Sequence, residues 1–139
     1  MQVSDVMTEN VITASENESI TDVAKKMAQF DIGVIPVCNS DTLLGVITDR
    51  DITLRCVAAG RSTDSVKARE IMSSNAISVS PTQNLQDAAT IMAKAQYRRL
   101  PVTDSGKVVG ILSIGDLSRL SGYDMEAARA FSEINEDKD

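Results

Sequence analysis

Two short runs in this sequence close an apolar, branched segment with a hydroxyl and, three positions on, a carboxylate: Gly45-Val46-Ile47-Thr48-Asp49-Arg50-Asp51 and Gly110-Ile111-Leu112-Ser113-Ile114-Gly115-Asp116. That spacing has a definite chemistry. A hydroxyl beside free backbone N–H groups at a helix start makes an anion site, because the positive end of the helix dipole faces the anion. A carboxylate one short step further can accept two hydrogen bonds from vicinal hydroxyls, and bonds to a charged acceptor are worth about 1.5–3 kcal/mol net. Asp51 and Asp116 can equally cap their helices, and the two roles are compatible, since a cap is free to face a cleft.

Composition removes the main competitors. The chain of 139 residues contains no histidine, so it lacks the usual general base and the commonest transition-metal ligand, which argues against hydrolase triads and zinc sites. A formal charge of −6 opposes binding to phosphate backbones, whose affinity comes from lysine and arginine displacing counterions. Two phenylalanines and two tyrosines supply few platforms for base stacking. Nucleic acid is not an expected partner, and neither is a membrane: no apolar run approaches the roughly 18–20 residues that span a bilayer. The start, Met1-Gln2-Val3-Ser4-Asp5, does not read as a signal peptide, so a cytoplasmic location is expected. Cys38 and Cys56 are too far apart for a CxxC motif and read as reduced structural thiols, with a disulfide left open.

The elements that must position the two runs are written twice. The halves match at a constant offset of 65 positions without a gap: Met7 with Met72, Asp22 with Asp87, Met27 with Met92, Pro36 with Pro101, Gly45 with Gly110 and Asp51 with Asp116. In each half a helix is expected from apolar positions at i, i+3, i+4 and i+7: Ile20, Val23, Ala24, Met27, then Leu85, Ala88, Ala89, Met92. Ser19 and Asn84 stand where an N-cap belongs. A β-hairpin follows, with strands over 32–37 and 43–48 in the first copy and 100–102 and 108–113 in the second, turning through Asn39-Ser40-Asp41 and Asp104-Ser105-Gly106. A second helix is expected from near Asp51 or Asp116 to a glycine C-cap at Gly60 or Gly122. The chain divides into a first repeat (1–60), a linker (61–67), a second repeat (68–123) and a C-terminal helix with an acidic tail (124–139).

This arrangement resembles a tandem pair of CBS domains, the module named for cystathionine β-synthase. The likeness is carried by the two runs quoted above and by the pre-proline strands Ile35-Pro36-Val37 and Leu100-Pro101-Val102. It implies an α+β fold of α/β type: two β-α-β-β-α repeats about a pseudo-twofold axis, helices packed on small sheets. It also implies an energy-sensing regulatory module with no required cofactor, whose ligand is AMP, ADP, ATP or another adenosyl compound such as NAD(H), bound in the cleft between the repeats. Thr48 and Ser113 would meet the phosphate and Asp51 and Asp116 the ribose. Ile12, Thr13, Ile35, Pro36, Ile77, Ser78, Leu100 and Pro101 would line the adenine slot, although for the apolar ones core packing is the simpler role. Arg98 and Arg99 would serve the cleft of Thr48 and Asp51, leaving that of Ser113 and Asp116 without a basic partner from the first repeat. A homodimer is implied, with a regulated protein acting in trans.

Two rivals stand beside this reading. A magnesium-dependent phosphohydrolase would rest on Asp49, Asp51 and Asp116, but Ile114 replaces Asp49 in the second copy, and Arg50 between the carboxylates discourages a dication. A pure interaction module with an eroded pocket would pair through Leu54, Val57, Leu117 and Leu120, or through the stretch from Met125 to Ile134.

Overall fold

The computed structural model describes residues 1–119. Leu120, Gly122, the stretch from Met125 to Ile134 and the expected C-terminal helix lie outside the described residues. The described residues form two compact units, Ile12–Ala76 and Met1–Val11 with those from Ile77 onward. Each is a small mixed α+β unit.

In the Ile12–Ala76 unit the elements are β1 (Ala14–Ser15), α1 (Ile20–Phe30), β2 (Val34–Asn39), β3 (Thr42–Thr48), α2 (Asp49–Asp51) running into a π-helical stretch (Ile52–Val57), and α3 (Ala68–Ile71). Helix α1 begins as its cap dictates, the Ser19 hydroxyl accepting from Asp22 N at 3.1 Å. It stops at Asp31, whose φ of 53° is left-handed. Ile20, Val23 and Met27 on its buried stripe pack against Ile35, Val37 and Ile47 of the hairpin, and each buried aliphatic side chain contributes about 1.5–3 kcal/mol. Strand β1 pairs in parallel with β2, and β2 antiparallel with β3.

The other unit repeats the plan. It contains a 3-10 turn (Val3–Asp5), α4 (Leu85–Ala95), β4 (Arg99–Asp104), β5 (Lys107–Ser113) and α5 (Ile114–Ser118). Asn84 Oδ1 caps α4 by accepting from Gln86 N at 2.8 Å, and Gln96 ends it with φ 60°. Leu85, Ala88, Ala89 and Met92 meet Leu100, Val102, Leu112 and Leu117 in the core. The place of β1 is taken by a single parallel bridge, Val79 to Val102. Ser105 and Gly106 both have positive φ, which gives the two-residue turn a twist that suits a hairpin.

The packing boundaries differ from the boundaries of the written repeat. Residues 1–11 belong to the unit of the second hairpin, and residues 68–76 to that of the first. Thr8 and Ile111 exchange two backbone hydrogen bonds of 2.9 Å, while Val46 and Ser73 exchange bonds of 3.1 and 2.9 Å. These approaches explain Gly45 and Gly110. A Cβ on Gly45 would lie 2.5 Å from the Ser73 carbonyl oxygen, and one on Gly110 would lie 2.6 Å from Met7 Sδ. The polar stretch 61–67, expected as a plain connection, closes the core at the start of α1: Val66 is buried, its carbonyl accepts from Ile20 N, and the Thr63 carbonyl accepts from Thr21 N, both at 3.0 Å.

Candidate functional site

Each hairpin delivers its hydroxyl and carboxylate to the corner where the return strand becomes a helix. Thr48 and Ser113 are the N-caps, so the helices start at Asp49 and Ile114 rather than at Asp51 and Asp116, which sit in the third helical position. Both corners close as a reciprocal box. Asp51 N donates to Thr48 Oγ1 at 3.0 Å and Thr48 N to Asp51 Oδ2 at 2.9 Å. In the second corner Asp116 N donates to Ser113 Oγ and Ser113 N to Asp116 Oδ2, each at 3.0 Å. The capping role of the aspartates is therefore real, and one oxygen of each carboxylate is spent on it. The other oxygen faces an arginine: Arg55 Nε lies 3.9 Å from Asp51 Oδ1, and Arg119 Nη1 lies 3.3 Å from Asp116 Oδ1. Asp51 keeps 17% of its side chain exposed and Asp116 7%, so Asp51 has more surface to offer.

The corners differ in charge. Strand register sets Arg99 opposite Ser113 and Val34 opposite Thr48. The Arg98 carbonyl accepts from Ile114 N at 3.0 Å, and the Gly33 carbonyl accepts from Asp49 N at 3.0 Å. Within its own unit, then, the pre-proline pair Arg98 and Arg99 flanks the Ser113 corner, a neighbourhood the sequence reading did not draw, although the offset of 65 already put Arg98 and Arg99 where Gly33 and Val34 stand. Asp49, a metal-ligand candidate by sequence, has a local structural role instead. Its carboxylate bends back over the strand start, with Oδ2 3.1 Å from where a Cβ of Gly33 would lie, and Oδ1 accepts from Arg50 N at 2.9 Å.

The adenine-slot residues divide by exposure. Ile35 and Leu100 are fully buried in the two cores, and Pro36 and Pro101 are buried in their strands. Ile77 is 39% exposed. Thr13 is half-buried, its carbonyl accepting from Lys26 Nζ at 2.8 Å while that ammonium also pairs with Glu18 at 2.9 Å. Ser78 Oγ accepts from Thr103 Oγ1 at 3.1 Å. Of the residues expected on an open helix surface, Leu54 and Val57 are exposed, but Leu117 is fully buried in the core and cannot serve a contact. Cys38 and Cys56 are both free and buried. Burial pushes the Cys38 thiol up, with a smaller push from the Asp41 carboxylate. Among the described residues no group of three or more His, Cys, Asp or Glu side chains could hold a metal ion, and no helix is long and apolar enough to cross a membrane.

A hairpin closed by a hydroxyl–carboxylate box and written twice defines a pair of CBS domains, and the chain belongs to that family: the CBS domain model matches residues 3–57 and 68–123. Among relatives, the chain is 40% identical over 133 residues to the CBS domain-containing protein YhcV of Bacillus subtilis, covering 96% of this chain and 94% of that one. Among solved structures, Hypoxic Response Protein I with two coordinated zinc ions superposes with a TM-score of 0.81 at 32% identity, covering 87% of this chain and 99% of that one. The CBS domain pair of protein MJ0100, in complex with 5′-methylthioadenosine and S-adenosyl-L-methionine, gives a TM-score of 0.76 at 30% identity over 86% of this chain and 94% of that one.

Proposed function

We propose that this CBS pair is a regulatory module, not an enzyme, that binds an adenosyl ligand at its hairpin–helix corners and passes occupancy to a partner protein. The observation that carries the reading is the corner itself, present twice with the same four groups: a cap hydroxyl, its backbone N–H, a carboxylate and its backbone N–H, closed within 3.0 Å. The second oxygen of the Asp51 carboxylate, on a side chain 17% exposed and 3.9 Å from Arg55 Nε, suits a ribose diol, and the cap hydroxyl retains its proton to donate. The adenosyl ligands bound by the MJ0100 pair support the ligand class.

In this proposal the ligand's differential affinity for two conformations of the pair is what a partner in trans senses. The site of action is the cytoplasm, and the working form is a homodimer that covers exposed Leu54 and Val57. The test is a thermal-shift panel of AMP, ADP, ATP, NADH and S-adenosylmethionine, because a ligand that binds only the native state raises stability by mass action. At least one member should raise the melting temperature with concentration. A flat response across the panel favours the second reading, a homodimeric interaction module, for which Leu54 and Val57, 50% and 59% exposed, are the specific observation. Release of phosphate from ATP at enzymatic rates would defeat both.

A further inference from the structure

The two corners are the same device with different electrostatics, and the difference lies in the helix's first N–H groups. In the first corner all three are taken by groups of the chain: Asp49 N by the Gly33 carbonyl, Arg50 N by Asp49 Oδ1 and Asp51 N by Thr48 Oγ1. The middle one matters most. Asp49 puts its own carboxylate oxygen on the amide where an incoming anion would seek a donor, so a negative charge already sits at the positive end of this helix. In the second corner the matching residue is Ile114, which carries no acceptor. Among the described residues no side chain takes the Gly115 N–H that corresponds to Arg50 N.

The strand facing each helix start differs in a matching way. Asp49 folds over Gly33 with its carboxylate 3.1 Å from where a Cβ would begin, and the offset of 65 puts Arg98 in Gly33's place and Ile114 in that of Asp49. A side chain at position 33 would push the carboxylate away, so the glycine and the aspartate form one local arrangement. The charges follow suit. At the first corner Asp51 pairs with Arg55 and the Asp49 carboxylate lies beside it at the helix start, while at the second Asp116 pairs with Arg119, strand register sets Arg99 opposite Ser113, and Ile114 stands in the place of Asp49.

We infer that Asp49 is a specificity-determining residue of the first corner: its carboxylate occupies the anion position over Gly33, so that this corner takes an uncharged or cationic adenosyl compound and turns away phosphate-bearing nucleotides. The inference rests on the adenosyl-binding reading above and sharpens it. A ligand phosphate brought within about 5 Å of the Asp49 carboxylate meets like-charge repulsion that, at an interfacial dielectric, weakens binding about tenfold or more. An adenosine with a neutral 5′ substituent escapes that repulsion, and the sulfonium of S-adenosylmethionine is attracted by the same carboxylate.

The test uses the full chain carrying Asp116→Ala, which leaves the first corner as the working site, and calorimetric titration with adenosine, S-adenosylmethionine and AMP. Adenosine and S-adenosylmethionine should bind more tightly than AMP. Adding Asp49→Asn, which keeps the acceptor to Arg50 N and removes the charge, should tighten AMP about tenfold and leave adenosine within about twofold. An AMP-to-adenosine preference that Asp49→Asn does not move overturns the inference, as does tighter binding of AMP than of adenosine before that change. Should Asp116→Ala fail to fold, titration of the otherwise unchanged chain decides the matter: Asp49→Asn should tighten one AMP-binding step about tenfold and leave adenosine within about twofold, and AMP steps that all stay unmoved refute the claim. Absence of binding by every adenosyl probe, in the parent chain as well, would overturn this inference together with the reading it rests on. Binding with an unmoved preference would overturn the inference alone.

Discussion

Gly45→Ala should be among the most damaging single-methyl additions in the chain. The added Cβ would lie 2.5 Å from the Ser73 carbonyl oxygen, about 0.9 Å inside ordinary contact. That oxygen has little freedom to retreat, because Ser73 is tied to Val46 by backbone bonds of 3.1 and 2.9 Å, and Met72 Sδ stands 3.0 Å from the same Cβ position. Relief requires β3 and the 72–73 segment to part. Overpacking of this kind costs about 1–3 kcal/mol, and weakening either backbone bond adds about 0.5–1.5 kcal/mol. A total near 3 kcal/mol lowers the melting temperature of a chain of this size by about 10 °C. The matched control is Gly110→Ala, where the closest atom is the flexible end of Met7 at 2.6 Å and the backbone oxygen of Thr8 is 3.1 Å away. It should cost less than half as much. Urea unfolding of both variants checks the difference. Equal losses, or a Gly45→Ala loss below about 0.5 kcal/mol, would refute the close clasp of residues 72–73 on β3.

Asp51→Ala removes the acceptor for Thr48 N and the proposed ribose acceptor, so adenosyl affinity should fall about ten- to a hundredfold with roughly 1 kcal/mol of stability, read by calorimetry and by unfolding. Arg99→Ala should weaken AMP and spare adenosine; a double-mutant cycle against Asp51→Ala and Asp116→Ala then tells whether Arg99 acts with Thr48 and Asp51, as the family resemblance implies, or with Ser113, its partner in strand register. Glu70 is held below the ordinary carboxylate value of 4.5 by the Lys67 N–H and by Arg61. A depressed native pKa means that this contribution is present above pH 4.5 and fades as pH falls through the native value; Glu70→Gln should flatten that part of the acid limb of a stability–pH curve. Buried Cys38, its thiol pushed up, should react with iodoacetamide at pH 8 far more slowly in the native chain than in the urea-unfolded one.

Local rules made much of this fold readable. The Ser19 and Asn84 caps, the apolar stripes of α1 and α4, the two hairpins and the hydroxyl–carboxylate pairs at their ends each depend on neighbours within a few positions, so spacing alone exposes them; the turns are one residue tighter than expected, because Asn39 and Asp104 stay in the strands. The exchange of short segments was hidden because it is non-local: nothing near Met7 or Met72 says which hairpin Thr8 or Ser73 will join. The burial of Val66 and Leu117 is hidden for a related cause, since an isolated apolar residue in a polar stretch or at the end of a short helix shows its burial only when its packing partners are known. The π-helical stretch at Ile52–Val57 leaves no periodic trace in six residues. At the corners, residue types disclosed the hydroxyl and the carboxylate, whereas the bond from Arg50 N to Asp49, which sets the charge character of the first corner, depends on how one side chain folds back.

The most direct examination of the central claim is a calorimetric titration of AMP and of adenosine into the parent chain and into a folded Asp51→Ala, Asp116→Ala double variant. The account predicts saturable heat in the parent for at least one of the two compounds and its near disappearance in the variant. Equal affinities in both proteins would contradict it, for the corner carboxylates would then hold no ligand at all.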